Sequence, residues 1–127
     1  MKKVTAAIIF KNNCVLLARR GTGQTLEGYW EFPGGKIENN ETPQECLERE
    51  LSEELGVVAT AGKIIAESVY KYDHGAIKLL AIETEIESES FTLSVHDKIE
   101  WVQHDNLMDY KLAPADIPIA KIIIENF

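Results

Sequence analysis

Residues Gly35 to Val57 read GKIENNETPQECLERELSEELGV, and the second half of that stretch is patterned as a helix. Thr42 is a good N-cap, Pro43 suits the first helical position, and Glu45 follows Thr42 at the spacing of a capping box. Leu47, Leu51 and Leu55 repeat every four residues and define one buried stripe, and Gly56 is placed to serve as the C-cap. The spacing predicts a helix of about four turns. On another face Glu50, Glu53 and Glu54 stand at i, i+3 and i+4, and Arg49 reaches Glu53 one turn on. Like charges so placed destabilise an isolated helix by roughly a few tenths of a kcal/mol per pair. A hard divalent cation supplies a reason for them, because Mg²⁺ takes oxygen ligands and is usually held by one or two carboxylates plus substrate phosphates.

The composition bounds the rest. At 127 residues the chain has room for one domain, residues 1–127, with a modest core. A hydrophobic content of 45% and a charged content of 27% are ordinary for a soluble globular protein. The net charge of −8 argues against a nucleic-acid polymer as partner, since no Lys/Arg patch is dense enough to neutralise its backbone. A small nucleotide is compatible, its phosphates screened by metal ions that the protein holds. Cys14 and Cys46 form no metal or redox spacing and read as free, buried thiols in a reducing cytoplasm. The apolar run from Val4 to Phe10 is too short for a signal-peptide core, and no stretch approaches a membrane span.

Along the chain, Val4–Phe10 and Cys14–Ala18 read as a hairpin turned by Lys11-Asn12-Asn13. Arg19 and Arg20 follow, ahead of the Gly21–Gly28 loop, where phosphates could be met. Trp30-Glu31-Phe32 reads as a short strand leading into Pro33-Gly34-Gly35, whose glycines let the backbone turn sharply and approach a ligand. Beyond the helix, Ile64–Tyr72 and Ala76–Glu85 read as strands joined at Asp73-His74-Gly75, with Val69, Ile77, Leu79 and Leu80 as core. Tyr70 and Tyr72 share a face, where packing competes with stacking on a base. Ile99–Val102 is a further strand, Asp105 a candidate cap of a short helix, and Ile117–Phe127 a terminal helix with Pro118 in its first turn. The reading is one α+β domain, its strands flanked by two main helices.

A lone ExxEE is more often a solvated acidic face than a site. Here the glycine, four glutamates and arginine fall at fixed offsets that chance produces in roughly one chain in ten million or fewer. The stretch matches the Nudix box, Gx5Ex7REUxEExGU, with no mismatch. The chain therefore resembles the Nudix hydrolases, and its Trp30–Lys36 segment resembles their MutT-type branch. That resemblance implies an α/β/α sandwich around a mixed sheet. It also implies cleavage of nucleoside triphosphates to the monophosphate and pyrophosphate, with Mg²⁺ or Mn²⁺. On matching positions Glu50, Glu53 and Glu54 would ligate the metal together with the carbonyl of Gly34. Arg49 would orient Glu53, Arg20 and Lys36 would touch phosphates, and Glu41 would be a structural or outer-shell member of the box.

One position departs from the branch. Many MutT-type proteins carry a metal-binding glutamate six residues before a later tryptophan, here Trp101, and that position is Val95. Either the carboxylate is missing or Asp97 stands in for it, which leaves the general base open between Asp97 and the box glutamates. The segment Leu112–Pro118, LAPADIP, resembles the group acting on CTP, dCTP and 5-substituted dCTP. Asp116 would read the base there, or merely cap the terminal helix. Three functions follow as expectations. The first is a cytidine-preferring triphosphate pyrophosphohydrolase of the nucleotide pool, a monomer or homodimer. The others are an 8-oxo-dGTP diphosphatase and a non-catalytic nucleotide-binding module.

Overall fold

The computed structural model describes all residues from Met1 to Phe127. Strand β1 (Lys2–Ile8) opens the chain, followed by β2 (Phe10–Lys11), β3 (Cys14–Arg20) and the short β4 (Trp30–Glu31). Helix α1 (Pro43–Leu55) comes next, then β5 (Ala59–Tyr72), β6 (Gly75–Ile86) and β7 (His96–Gln103). A 3₁₀ turn over His104–Asp109 leads to helix α2 (Asp116–Asn126). The order β1-β6-β5 makes a mixed sheet, since β1 runs parallel to β6 and β5 antiparallel to it. Strand β3 centres a second sheet, antiparallel to β2, β4 and β7.

Alternation along two strands creates the layers. Ala6 and Ile8 of β1, with Val15 and Leu17 of β3, pack beneath Ile119, Ala120 and Ile123 of α2. Their neighbours Ala7, Ile9 and Leu16 face the other way, against Leu47, Leu51 and Leu55 of α1. Successive side chains of a strand point to opposite faces, so a strand apolar at every position needs a helix on each side. This is the α/β/α sandwich that the resemblance implies.

Helix α1 begins and ends where its local chemistry says. The Thr42 hydroxyl accepts from Glu45 N at 3.0 Å while the Glu45 carboxylate accepts from Thr42 N at 2.9 Å. Gly56 ends the helix in the left-handed region at φ 67°, its N–H donating to Ser52 O. All three leucines of the stripe are fully buried.

Four expectations change. Val69 is 59% exposed rather than core. Tyr70 and Tyr72 turn inward on the same strand, with ring centroids 4.6 Å apart, and period-two geometry then sends Val69 outward. Strand β5 starts five residues before Ile64, because irregular pairing between Ala61 and Ala66 hides its alternation. Asp105 lies within the first turn of the 3₁₀ segment and does not cap it. Cys46 is buried as expected, but Cys14 is only half-buried.

Candidate active site

The Pro33–Ile37 segment is laid along the free edge of β1. Thr5 N donates to Gly35 O at 2.8 Å, Ala7 N to Pro33 O at 2.7 Å, and Ile37 N to Lys3 O at 3.0 Å. The Thr5 hydroxyl also donates to Gly35 O at 3.0 Å, and the Cys46 thiol donates to Lys36 O at 3.4 Å. Pro33 and Gly35 spend their carbonyls on β1, whereas the Gly34 carbonyl between them takes no backbone donor. A Cβ on Gly34 would lie 2.1 Å from Thr5 O, so only glycine lets the segment sit this close to the strand.

Arg49 organises the helix carboxylates. Its guanidinium grips Glu41 in a fork, Nε at 2.6 Å and Nη2 at 3.1 Å, and Nη1 donates to Glu50 at 2.9 Å and Glu53 at 3.3 Å. Such two-pronged, charge-assisted bonds are the strong ones. Glu41 is thus the main partner of Arg49, ahead of Glu53, and the fork holds its carboxyl below the usual range. Burial raises Glu50, partly offset by Arg49. Glu54 is pushed up to about 8, first by burial and then by the charges of Glu31 and Glu50, and its Oε1 has no partner. No three acidic, His or Cys side chains lie close enough to cage a metal unaided. Glu53 remains 61% exposed, Arg49 draws Glu50 and Glu53 towards itself, and Glu54 turns inward. An acidic helix face with a bare, buried carboxylate oxygen and a free carbonyl suits a hard cation that draws its remaining ligands from substrate and water.

The four residues expected to meet substrate do come together. Arg20, Lys36, Tyr72 and Asp116 all line one cleft of about 460 Å³, together with Glu31, Phe32 and Gly34. The chain segment after the 3₁₀ turn builds its far wall. Trp30 N donates to Lys111 O and Ala113 N to Trp30 O, both at 2.8 Å, which lays residues 111–113 beside β4. The Ser68 hydroxyl donates to Ala115 O at 2.9 Å and draws in β5, with Tyr72 beyond it. Asp116 is not a cap. It is 6% exposed and its Oδ1 accepts from Phe32 N at 3.2 Å. Burial first, and the Glu31 charge second, hold its carboxyl well above the ordinary range.

Asp97 does not line this cleft, and neither do Arg49, Glu50, Glu53 and Glu54. The pairing of β3 with β7 runs Arg19 opposite Lys98 and Arg20 opposite His96, so Asp97 is the extra residue of a β-bulge. It projects outward, and its Oδ1 accepts from Arg19 Nε at 2.7 Å. That bond holds the Asp97 carboxyl below its usual range at the surface. Asp97, expected as a stand-in for Val95, is thus engaged by Arg19 in this structure.

Two residues escaped the sequence reading. Glu31 Oε2 accepts from both Arg20 Nη1, at 3.1 Å, and His96 Nε2, at 2.8 Å. Glu31 stands between two large apolar residues, Trp30 and Phe32, a setting in which a carboxylate is a candidate for a role of its own. His96 carried no such signal, since its direction depends on the bulge.

The NUDIX domain family matches residues 1–123, and the chain belongs to it. It is accordingly a Nudix hydrolase, a family of nucleotide pyrophosphohydrolases that work with divalent metal ions on small nucleotides. The CTP pyrophosphohydrolase of Escherichia coli is 37% identical over 119 residues, which is 94% of this chain and 88% of that protein. The 8-oxo-dGTP diphosphatase of Proteus vulgaris is 52% identical over a shorter stretch of 50 residues, 39% of this chain and 45% of that one. The solution structure of the E. coli ORF135 protein superposes with a TM-score of 0.84 at 35% identity, covering 98% of this chain and 89% of that one. No helix is long and apolar enough to cross a membrane.

Proposed function

We propose that residues 1–127 form one domain acting in the cytoplasm as an Mg²⁺-dependent nucleoside triphosphate pyrophosphohydrolase. It prefers CTP, dCTP and 5-substituted dCTP and releases the monophosphate and pyrophosphate. The observation that carries this reading is the buried Asp116 carboxyl in the same cleft as Arg20, Lys36 and Tyr72. Its likeness in sequence to the E. coli CTP pyrophosphohydrolase over most of both chains supports it.

Glu50, Glu53, Glu54 and the Gly34 carbonyl would hold the cation. Bound there, Mg²⁺ (or Mn²⁺) would neutralise phosphate charge and lower the pKa of a bound water. The chain's own residues do the remainder. Arg20 and Lys36 hold phosphate oxygens, Arg49 orients Glu50 and Glu53, and Tyr72 packs against the base. With Asp97 engaged by Arg19, general-base help falls to the α1 glutamates. In its ionised form Asp116 only accepts hydrogen bonds, which suits the N4 amine of cytosine. Uracil offers a carbonyl at that place. The unpaired polar group should cost roughly tenfold to a hundredfold in kcat/KM.

A second reading, 8-oxo-dGTP hydrolysis, draws on the relative from Proteus vulgaris, because a carboxylate also accepts from N1 and N2 of guanine. Steady-state kinetics of pyrophosphate release with CTP, dCTP, UTP and 8-oxo-dGTP separate the two. The cytidine reading expects CTP or dCTP to lead. A kcat/KM highest for 8-oxo-dGTP replaces it with the second.

A further inference from the structure

Two buried polar atoms lack a hydrogen-bond partner, Glu54 Oε1 and His96 Nδ1. The first belongs to the carboxylates of α1. The second belongs to an imidazole for which the proposed reaction has no use, although its side chain is wholly enclosed. A closed interior normally satisfies its polar groups, and an aliphatic residue would fill the same space without stranding a nitrogen. What the imidazole does contribute is its other nitrogen, 2.8 Å from Glu31 Oε2.

Glu31 needs such a partner. Strand β4 pairs with β3 at Ala18–Glu31 and Arg19–Trp30, which places the Glu31 backbone, while the carboxylate beyond it takes its direction from its own partners. Its Oε2 is the one oxygen that also receives Arg20 Nη1, while Arg20 Nε is spent on Thr25 O at 2.6 Å. The bulge at Asp97 is what turns His96 to this face of β7, opposite Arg20. One carboxylate oxygen therefore ties strands β3, β4 and β7 together at the wall of the cleft.

We propose that His96 is a positioning residue, whose Nε2–H fixes the Glu31 carboxylate and, through it, the Arg20 guanidinium that faces the substrate. This rests on the reading that the cleft takes a nucleoside triphosphate. Losing His96 frees Glu31 to swing, and Arg20 loses the anchor of its Nη1 while keeping Thr25 O at Nε and Gln24 Oε1 at Nη2. The consequence lies in substrate binding more than in turnover.

The test compares His96→Leu, His96→Gln, Glu31→Gln and the Leu/Gln double variant with wild type, using CTP and Mg²⁺. His96→Leu should raise KM about tenfold, the scale of a lost charge-assisted hydrogen bond, with kcat within about threefold. His96→Gln, whose amide donates at about the reach of Nε2, should return KM towards the wild type. In the Glu31→Gln background, whose uncharged amide oxygen accepts more weakly, His96→Leu should add clearly less than it costs alone. A filler role would lower the melting temperature of both His96 variants and leave KM alone, and that result overturns the proposal. So does a full, independent effect of His96→Leu in the double variant. Nitrogen NMR of the His96 ring supplies a readout without turnover. The ring should show a protonated Nε2 whose signal moves in Glu31→Gln, and an unmoved signal refutes the contact even if His96→Leu fails to fold. A wild-type protein inactive on every triphosphate would instead overturn the functional reading, leaving the NMR result to decide the positioning one.

Discussion

A Cβ placed on Gly35 would lie 2.3 Å from Cδ of Glu50 and 2.6 Å from its Oε2. The first glycine of the box and its first helix carboxylate are thus one device, in which the missing side chain makes room for the carboxyl group. The neighbouring Gly34 meets backbone, at 2.1 Å from Thr5 O, where nothing can move aside cheaply. The two alanine variants should therefore part company. Gly35→Ala displaces the end of a flexible side chain and should cost activity at least about tenfold with little loss of stability. Gly34→Ala forces the segment off β1 and should destabilise the fold by about 1–3 kcal/mol or more, the cost of overpacking. Denaturant melts beside kcat for both proteins check this, and equal stability losses would refute the distinction.

Neutralising the helix carboxylates should collapse turnover. Glu53→Gln and Glu50→Gln keep shape and remove a charged oxygen donor, and each should lower kcat on the order of 10² or more. Turnover near wild type in both, at saturating Mg²⁺, would remove α1 from the chemistry.

Asp97→Asn is expected to be nearly silent. Asp97 and Arg19 form an exposed pair, with side-chain accessibilities of 44% and 37%, and such pairs contribute little. Its kcat should stay within about twofold of the wild type, whereas removing a true general base costs roughly 10²–10⁴. A loss of that size would return Asp97 to the reaction.

Asp116→Asn should change the dependence of stability on pH. Burial, then Glu31, raises the folded carboxyl well above 3.8, so the folded state binds a proton that the unfolded chain releases. A raised acid destabilises the fold progressively as pH climbs from the unfolded pKa towards the folded one, by up to about 1.4 kcal/mol per unit. The amide has no proton to hold and can still accept from Phe32 N. Its stability relative to wild type should therefore improve from pH 4 upward and level off once the folded pKa is passed. Denaturant melts over a pH series measure it, and a difference flat in pH would place the Asp116 carboxyl in water. Above the folded pKa, where Asp116 is ionised and only accepts, the same variant should narrow the preference for CTP over UTP by roughly tenfold or more.

Much of the site was written locally. Helix α1, its caps, its leucine stripe and the carboxylates on its far face all follow from contacts within four residues. The sequence therefore carried them without reference to the rest of the chain. Its glycine-rich approach was legible for the same reason. Tertiary structure decided what the other strands contribute. Asp97 points away and His96 inward because β7 bulges against a strand 78 residues distant, and side-chain direction in a strand reverses with each residue of register. Asp116 became a wall of the cleft rather than a helix cap because residues 111–113 dock on Trp30, 84 positions separating Asp116 from the Phe32 amide it meets. Register and docking are settled by packing between distant segments, and no local pattern encodes them.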